Sequence, residues 1–386
     1  MPETIHYLDN SATTRPRPEV VAAMMAALTE DFGNPSSAHR LGIAAEKRIQ
    51  EARAAVARLI GARPEEIHFT SGGTEAINTA IFGVARAYGR RGRHIITQAT
   101  EHPATLEACR ALAAGGFEVT ILPVDRAGRV DPDQVARALR PDTILVSLMA
   151  VNNEIGTIQP VAEVGRLLRG RETLFHVDAV QAAGKLPLRV DEIGCHLLSL
   201  SGHKIHGPKG VGALYVRQGV RIAPLLYGGG QEEGLRSGTE NVPGIVGLGT
   251  AAALALAELD QVPDRLRALK RRLLEGLAER GLEFAVNGPD PEEAAPHILN
   301  LSFVGVPRGE VLLHALEQRG VFVSTGSACH SRRRTLSHVL EALRLPPDQA
   351  TGAIRVSLSP LTTEADIDAF VAAAAQAVPE LRSLMR

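Results

Sequence analysis

Seven apolar runs of strand length alternate with segments of helical period, and this alternation limits the possible folds more than any other feature. The runs fall at residues 67–70, 94–97, 117–122, 143–149, 173–177, 196–200 and 211–216. Between them, Asp131-Pro132-Asp133 reads as a cap and a first-turn proline opening a helix to Leu139, and 161–169 is a second amphipathic run. Regular β-then-α order predicts an α/β fold, a mostly parallel sheet flanked by helices, over roughly residues 14–250. A long helical pattern follows at about 241–280, interrupted at Pro263. Shorter runs at 298–304, 310–319, 321–323 and 354–358, with a terminal helix, predict a smaller α+β domain joined through that long helix. No internal repeat or low-complexity tract interrupts the pattern.

Composition removes several classes of function. At 386 residues the chain has room for two domains and a large core, and 45% hydrophobic with 22% charged residues is ordinary for a globular protein. Acids and bases nearly cancel, 43 against 42, so no global field favours nucleic acid or an anionic membrane. Met1 to Asn10 has no basic flank before an apolar run, and no apolar stretch is long enough to span a bilayer. With only Cys109, Cys195 and Cys329, no disulfide framework is possible. A cytoplasmic protein is expected, with Cys109 and Cys195 as buried, inert thiols.

In open α/β sheets ligands bind beyond the carboxyl ends of the strands. Five strand ends here deliver polar or ionisable groups: Ser71-Gly72-Gly73-Thr74-Glu75, Glu101-His102, Asn152-Asn153-Glu154, Asp178-Ala179-Val180-Gln181 and Ser201-Gly202-His203-Lys204. The first puts backbone amides and a hydroxyl at a helix start, which suits a phosphate but also suits a tight turn. His102 taken singly reads equally as a core histidine, and Asp178 as a helix cap. A buried strand-end lysine such as Lys204 is harder to account for without chemistry. Acid, amine and phosphate cup together suggest pyridoxal phosphate, which needs a lysine for its Schiff base and a carboxylate on its ring nitrogen. His203 and His206 lack the companions of a zinc site, so no resident metal is expected. Gly247-Leu248-Gly249-Thr250-Ala251-Ala252 fits a loose dinucleotide pattern, but it lies in a helical run and reads as small residues permitting close helix packing.

The stretch Ser201-Gly202-His203-Lys204-Ile205-His206-Gly207-Pro208-Lys209-Gly210 resembles the lysine signature of class V aminotransferase-like enzymes, and most nearly that of the cysteine desulfurases. Tyr7-Leu8-Asp9-Asn10-Ser11-Ala12-Thr13-Thr14, Phe32-Gly33-Asn34-Pro35-Ser36-Ser37, Asn152-Asn153-Glu154-Ile155-Gly156, Arg236-Ser237-Gly238-Thr239-Glu240-Asn241 and Ser327-Ala328-Cys329 add to the likeness in order along the chain. The resemblance implies a PLP-dependent transferase fold (type I). Residues 14–255 would form the large cofactor-binding domain, and 1–13 with 256–386 the small domain carrying the catalytic cysteine. It implies pyridoxal 5′-phosphate bound to Lys204, stacked by His102 and paired with Asp178 at the ring nitrogen. Asn152 and Gln181 would address the phenolic oxygen. Gly73, Thr74, Ser201 and His203 would hold the phosphate, and Thr239 would reach the phosphate of the partner subunit in a homodimer.

By the same resemblance Arg355, with Asn34 and Asn152, would bind the carboxylate of L-cysteine. Cys329 would take its sulfur as a persulfide, release L-alanine, and pass the sulfur to an acceptor such as an iron–sulfur scaffold, meeting a cluster at most transiently. Cys329 lies in a small-residue turn ahead of Arg332, Arg333 and Arg334, cations that favour a thiolate but also read as a solvated basic face. The stretch from Cys329 to Arg355 is expected to form the extended mobile loop of the iron–sulfur-feeding subgroup. Glu233 departs from the pattern, standing where an arginine is expected. Alternatives are a selenocysteine lyase or another class V enzyme on the same scaffold, and a pyridoxal-phosphate-binding adaptor of a different class.

Overall fold

The structure, a computed structural model, describes residues 4–325 and 336–384. Cys329, His330 and Arg332, Arg333 and Arg334 lie outside the described residues. The chain opens with strand β1 (His6–Tyr7) and helices α1 (Pro18–Thr29) and α2 (Arg40–Ile60). Then come β2 (Ile67–Thr70), α3 (Gly73–Tyr88), β3 (His94–Gln98), α4 (Pro103–Ala114), β4 (Glu118–Leu122), α5 (Pro132–Ala138) and β5 (Thr143–Met149). The alternation continues through α6 (Val161–Leu168), β6 (Leu174–Asp178), α7 (Val190–Ile193), β7 (Leu197–Ser201) and β8 (Gly212–Val216). Helices α8 (Val242–Glu258) and α9 (Val262–Glu279) lead to β9 (Phe284–Val286), β10 (Ile298–Phe303), α10 (Gly309–Glu317) and β11 (Val321–Phe322). The chain ends with α11 (His338–Ala342), α12 (Pro347–Thr351), β12 (Ala353–Ser357) and α13 (Glu364–Leu384).

The main sheet has the order β2-β8-β7-β6-β5-β3-β4, with β8 antiparallel to both β2 and β7 and the other adjacent pairs parallel. Strands β5, β6, β7 and β8 are buried along their whole length, as a sheet covered on both faces requires. Side chains alternate between two cores. Val146, Leu148, Phe175 and Val177 face α1, α2, α6 and α8, whereas Ile95, Leu145, Leu174 and Leu197 face α3 and α4. Gly247 and Gly249 belong to α8, where a Cβ would stand 2.8 Å from Met24 and 2.5 Å from Ala52. Their smallness lets α8 lie against α1 and α2; no strand precedes them and no nucleotide turn forms.

A second core joins α9, β10, α10, β12 and α13 around Leu266, Leu301, Leu316, Ile354 and Phe370. Leu8 packs in it, because β1 pairs with β11 and the Leu8 carbonyl accepts from Ser357 N at 2.7 Å. The N-terminal segment thus reaches both cores. The helical run after residue 241 differs from its sequence reading. It is two helices bent by 76°, broken at residues 259–261, and Pro263 sits in the first turn of α9, where its missing N–H costs nothing. The stretch beyond Cys329 also differs from expectation: residues 336–355 are no extended loop. Val339 and Leu340 of α11, Leu343 at its end and Ala350 of α12 pack on Ile155 and Ala353. No single described helix is long and apolar enough to cross a membrane.

Candidate active site

The carboxyl ends of β3, β5, β6 and β7 converge with the β2–α3 turn at one edge of the main sheet. The turn closes tightly: a Cβ on Gly73 would stand 2.8 Å from Val180 and 3.4 Å from Ser201 Cβ. A Cβ on Gly212 would meet the Gly72 backbone at 2.7 Å. Small residues therefore let the start of α3 abut the end of β7. Helix α3 opens at Gly73, then Thr74, with no side-chain cap, so its N-terminal amides and dipole face this edge.

Lys204 closes a single 3₁₀ turn after β7. The turn is held from below by Gly207, whose N–H donates to the Gly202 carbonyl at 2.9 Å and where a Cβ would crowd that same oxygen at 2.8 Å. Lys204 Nζ donates to the carbonyls of Ser11 and, at 2.8 Å, Ala12. His203 accepts Thr14 N–H at its carbonyl and pairs its ring with Thr13 Oγ1 at 3.1 Å. The segment 9–14, brought over by the second core, thus forms a roof above the lysine.

Asp178 ends β6, fully buried, and its Oδ1 accepts from Val180 N at 3.0 Å. Burial pushes its carboxyl up to about 6, against the pull of the Lys204 charge. No helix starts directly after Asp178, so that bond closes a turn and is not a helix cap, and the carboxylate lies within the field of Lys204. His102 is the N-cap of α4. Its Nδ1 accepts from Ala104 N at 3.1 Å, so the neutral ring carries its proton on Nε2. Burial, with the Lys204 and His338 charges, lowers it to about 4 and keeps the ring neutral. Behind it Glu101 is wholly buried and pushed up to about 8, a protonated acid at neutral pH, with Asp178 adding to the desolvation. Gln181 donates from Nε2 to the Ser11 carbonyl at 2.9 Å, the oxygen that also takes Lys204 Nζ, and its Oε1 is buried with no partner among the described residues.

Arg355, on β12, is nearly fully buried. It donates to Asp9 Oδ1 at 2.7 Å and to the Asn153 carbonyl at 2.8 Å, and its Nε has no partner among the described residues. Backbone pairing with Ser324 at 2.6 and 3.1 Å ties the chain leading toward residue 326 to Arg355. On the far side, Ser337 caps α11 and donates to Glu154 Oε2 at 2.6 Å. Burial pushes the Glu154 carboxyl up to about 7. Both flanks of the segment carrying Cys329 are thus fixed beside the cluster.

The structure brings Gly73, Thr74, His102, Asp178, Gln181, Ser201, His203 and Lys204 to one edge. Asn152 is there too, but its amide is engaged: Nδ2 donates to the Thr100 carbonyl at 2.8 Å, and Oδ1 accepts from Glu154 and Ile155 N–H groups. Asn34 lies in the exposed α1–α2 loop with its Oδ1 on Ser36 N at 3.0 Å, and among the described residues no hydrogen bond joins it to the cluster. Thr239 lines a separate cavity of about 180 Å³ with Ser71, Gly210, Glu232 and Arg236. The expected charge reversal falls in a solvent-exposed turn, where Glu233 adopts φ 55°. Its neighbour Glu232 is buried in a two-pronged pair with Arg53 at 2.8 Å and accepts Phe69 N–H at 2.7 Å. Cys109 and Cys195 are buried, and desolvation raises both to about 12. Sequence reasoning missed Lys185, a buried lysine whose Nζ donates to the Lys204 carbonyl at 2.6 Å. The signal was present as one charged residue inside Ala182-Ala183-Gly184-Lys185-Leu186-Pro187-Leu188.

A strand-end amine, carboxylate and imidazole beside an uncapped helix start define a cofactor-dependent enzyme of the α/β transferase type. The chain matches the aminotransferase class-V family over residues 6–370, and it belongs to that family, whose members depend on pyridoxal phosphate. Within the family it is similar to the cysteine desulfurases. A protein named cysteine desulfurase IscS from Dictyoglomus turgidum is 48% identical over 378 residues, 98% of this chain and 95% of that one. A solved structure named NIFS-like protein superposes with a TM-score of 0.89 at 42% identity, covering 99% of each chain. Another, described as SspA in complex with cysteine, has a TM-score of 0.82 at 36% identity over 92% of this chain and 99% of that one.

Proposed function

We infer that this chain is a cysteine desulfurase: it removes sulfur from L-cysteine, releases L-alanine and holds the sulfur as a persulfide on Cys329. The observation that carries this reading is the joint placement of Lys204, Asp178 and His102 at the ligand edge of the sheet. The residues fit pyridoxal 5′-phosphate: α3 starts with no side-chain cap beside Ser201, a buried carboxylate lies in the field of an amine, and Gln181 Oε1 is buried with no partner among the described residues. Lys204 would hold the cofactor covalently, Asp178 its ring nitrogen and His102 its ring face. Gly73, Thr74, Ser201 and His203 would hold its phosphate. Gln181 would take the phenolic oxygen, with Asn152 fixing the neighbouring turn. When bound, the cofactor supplies an electron sink for chemistry at the substrate carbons.

Arg355 would orient the substrate carboxylate through its planar fork, with Asn34 and Asn152 assisting. Lys204 Nζ would move the α-proton. The Cys329 thiolate would attack the substrate sulfur. An S–S bond forms as the C–S bond breaks, the electron pair stays on carbon, and a proton completes the methyl group of alanine. We take residues 14–255 as the cofactor-binding domain and 1–13 with 256–386 as the smaller one, a division supported by Leu8 packing in the second core. The enzyme would work as a homodimer with Thr239 reaching the partner's phosphate, and would hand sulfur to an acceptor protein such as an iron–sulfur scaffold. A thiol that must stay reduced between turnovers suits the cytoplasm.

The test is to incubate the purified protein with L-cysteine and a reductant and to measure alanine and sulfide together. Equal yields of both are expected, while pyruvate or a transaminated product would overturn the assignment. Cys329→Ala should keep the cofactor absorbance and lose sulfide release; undiminished turnover would remove Cys329 from its role.

A further inference from the structure

Lys185 is buried, 2% exposed, in the turn that follows Asp178 and Gln181. Gly184 puts it there. That residue adopts φ 68°, and a Cβ on it would stand 3.0 Å from Ala255 and 3.2 Å from Ile205, so the chain passes close beneath the lysine turn. Lys185 Nζ then donates to the Lys204 main-chain carbonyl at 2.6 Å. Among the described residues no carboxylate lies within ion-pair distance of it. Glu258, which lines the same small cavity, is already paired with Arg17 through two hydrogen bonds of 2.6 and 2.5 Å. The other titratable groups facing Lys185 are Lys204 and His203 in the 3₁₀ turn, His206 just beyond it, and His297 ahead of β10. All three histidines are driven toward the neutral form by burial, with the Lys185 charge adding to the effect. Beneath Lys204, therefore, lies a cation with a carbonyl partner and no counter-ion. Burying a charge this way is costly, and a chain that needed only a filler could place a leucine or methionine there.

We propose that Lys185 is a positioning residue for Lys204. Its ammonium fixes the carbonyl of the turn that aims Lys204, and its positive charge lowers the proton affinity of the Lys204 nitrogen. The two amines form a coupled pair: a proton on one disfavours a proton on the other. Desolvation, with the Lys204 charge adding to it, brings Lys185 down to about 7. An amine that sheds its proton readily is the form that can bond to an aldehyde and shuttle a proton.

The inference rests on the reading that Lys204 carries pyridoxal phosphate, and its test separates the two. Holoenzyme of the wild type, Lys185→Met and Lys185→Gln is titrated with pH while the cofactor absorbance is followed. Met keeps the stem without charge or donor, and Gln keeps an N–H donor without charge. Both should raise the midpoint of the spectral transition by about one pH unit. Lys185→Gln should retain more cofactor than Lys185→Met, because it still supports the turn. If Lys185→Met does not fold, Lys185→Gln carries the test alone. Coincident midpoints in variant and wild type, with the band present, would overturn the role of Lys185 while leaving the cofactor assignment intact. Absence of any cofactor band from wild-type protein supplied with pyridoxal phosphate would sink the cofactor reading itself, and Lys185's role with it.

Discussion

Three side chains at the strand ends, Asp178, Glu101 and His102, are each held far from their ordinary titration by burial, and that has a measurable cost. Asp178 keeps its proton to about pH 6 when folded, against 3.8 for an unburied aspartate. Across that window the folded state binds more protons, so stability falls as pH rises through it, and the full penalty is present above pH 6. Without cofactor, Asp178→Asn should therefore be about 3 kcal/mol more resistant to unfolding than wild type at pH 8. The two should converge near pH 4, as urea titrations at both values would reveal. The same variant should bind cofactor weakly, because its amide cannot pair with a protonated ring nitrogen. Equal stability at pH 8 would mean that the desolvation of Asp178 has been misjudged. Asp178, Lys204 and His102 could be placed at strand ends from the sequence because they follow strand-length apolar runs by one, four and five residues. What Asn152 does with its amide was not, since the hydrogen bonds to Thr100, Glu154 and Ile155 exist only once β3 and β5 lie side by side. The carbonyls of Ser11 and Ala12 were hidden for a different reason: main-chain atoms leave no trace in residue type.

Each of the seven strand-length runs became a strand, displaced by at most one residue at either end, because strands buried on both faces must be continuously apolar; only the edge strand β4 is partly exposed. Helices α1 and α2 went unnamed. The α2 period is present in Ala45, Ile49, Ala52, Val56 and Leu59, yet alanines carry much of it and give weak contrast with the polar face. Those alanines are also what α8 requires. Its glycines at 247 and 249 sit so near α1 and α2 that any side chain must displace something, and what it displaces differs. At Gly249 the obstacle is the backbone and Cβ of Ala52; at Gly247 it is the flexible end of Met24 and the ring of Pro208. Gly249→Leu should cost about 1–3 kcal/mol, and Gly247→Ala distinctly less, in denaturant unfolding. A reversed order would show that α8 is free to slide. The break between α8 and α9 was predicted a few residues late, since proline marks where a helix can begin as well as where one must stop.

At the scale of the molecule, α1 turns Val20 and Ala27 inward and leaves a stripe outward: Val21 is 50% exposed, Met25 56% and Leu28 56%, followed by Phe32 at 66% and Ile43 at 61%. The spacing of 21, 25 and 28 sets the first three on one face of the helix. Exposed apolar patches of this kind are a feature of protein interaction surfaces. We propose a second copy as the occupant, because Thr239 lines the cavity beside Ser71 and would reach the cofactor phosphate across the subunit boundary. A two-fold arrangement places the same stripe on both subunits. Met25→Glu with Leu28→Glu sets like charges against each other at that contact, and sedimentation should find the wild type dimeric and the double variant monomeric. Monomers would lose the partner's Thr239, so the double variant should also release cofactor more readily on dialysis. Thr239→Ala should reproduce that loosening in a protein that stays dimeric. A double variant that remains dimeric would exclude the α1 stripe from the interface. A monomer that retains cofactor as firmly as wild type would mean that Thr239 does not act across the boundary.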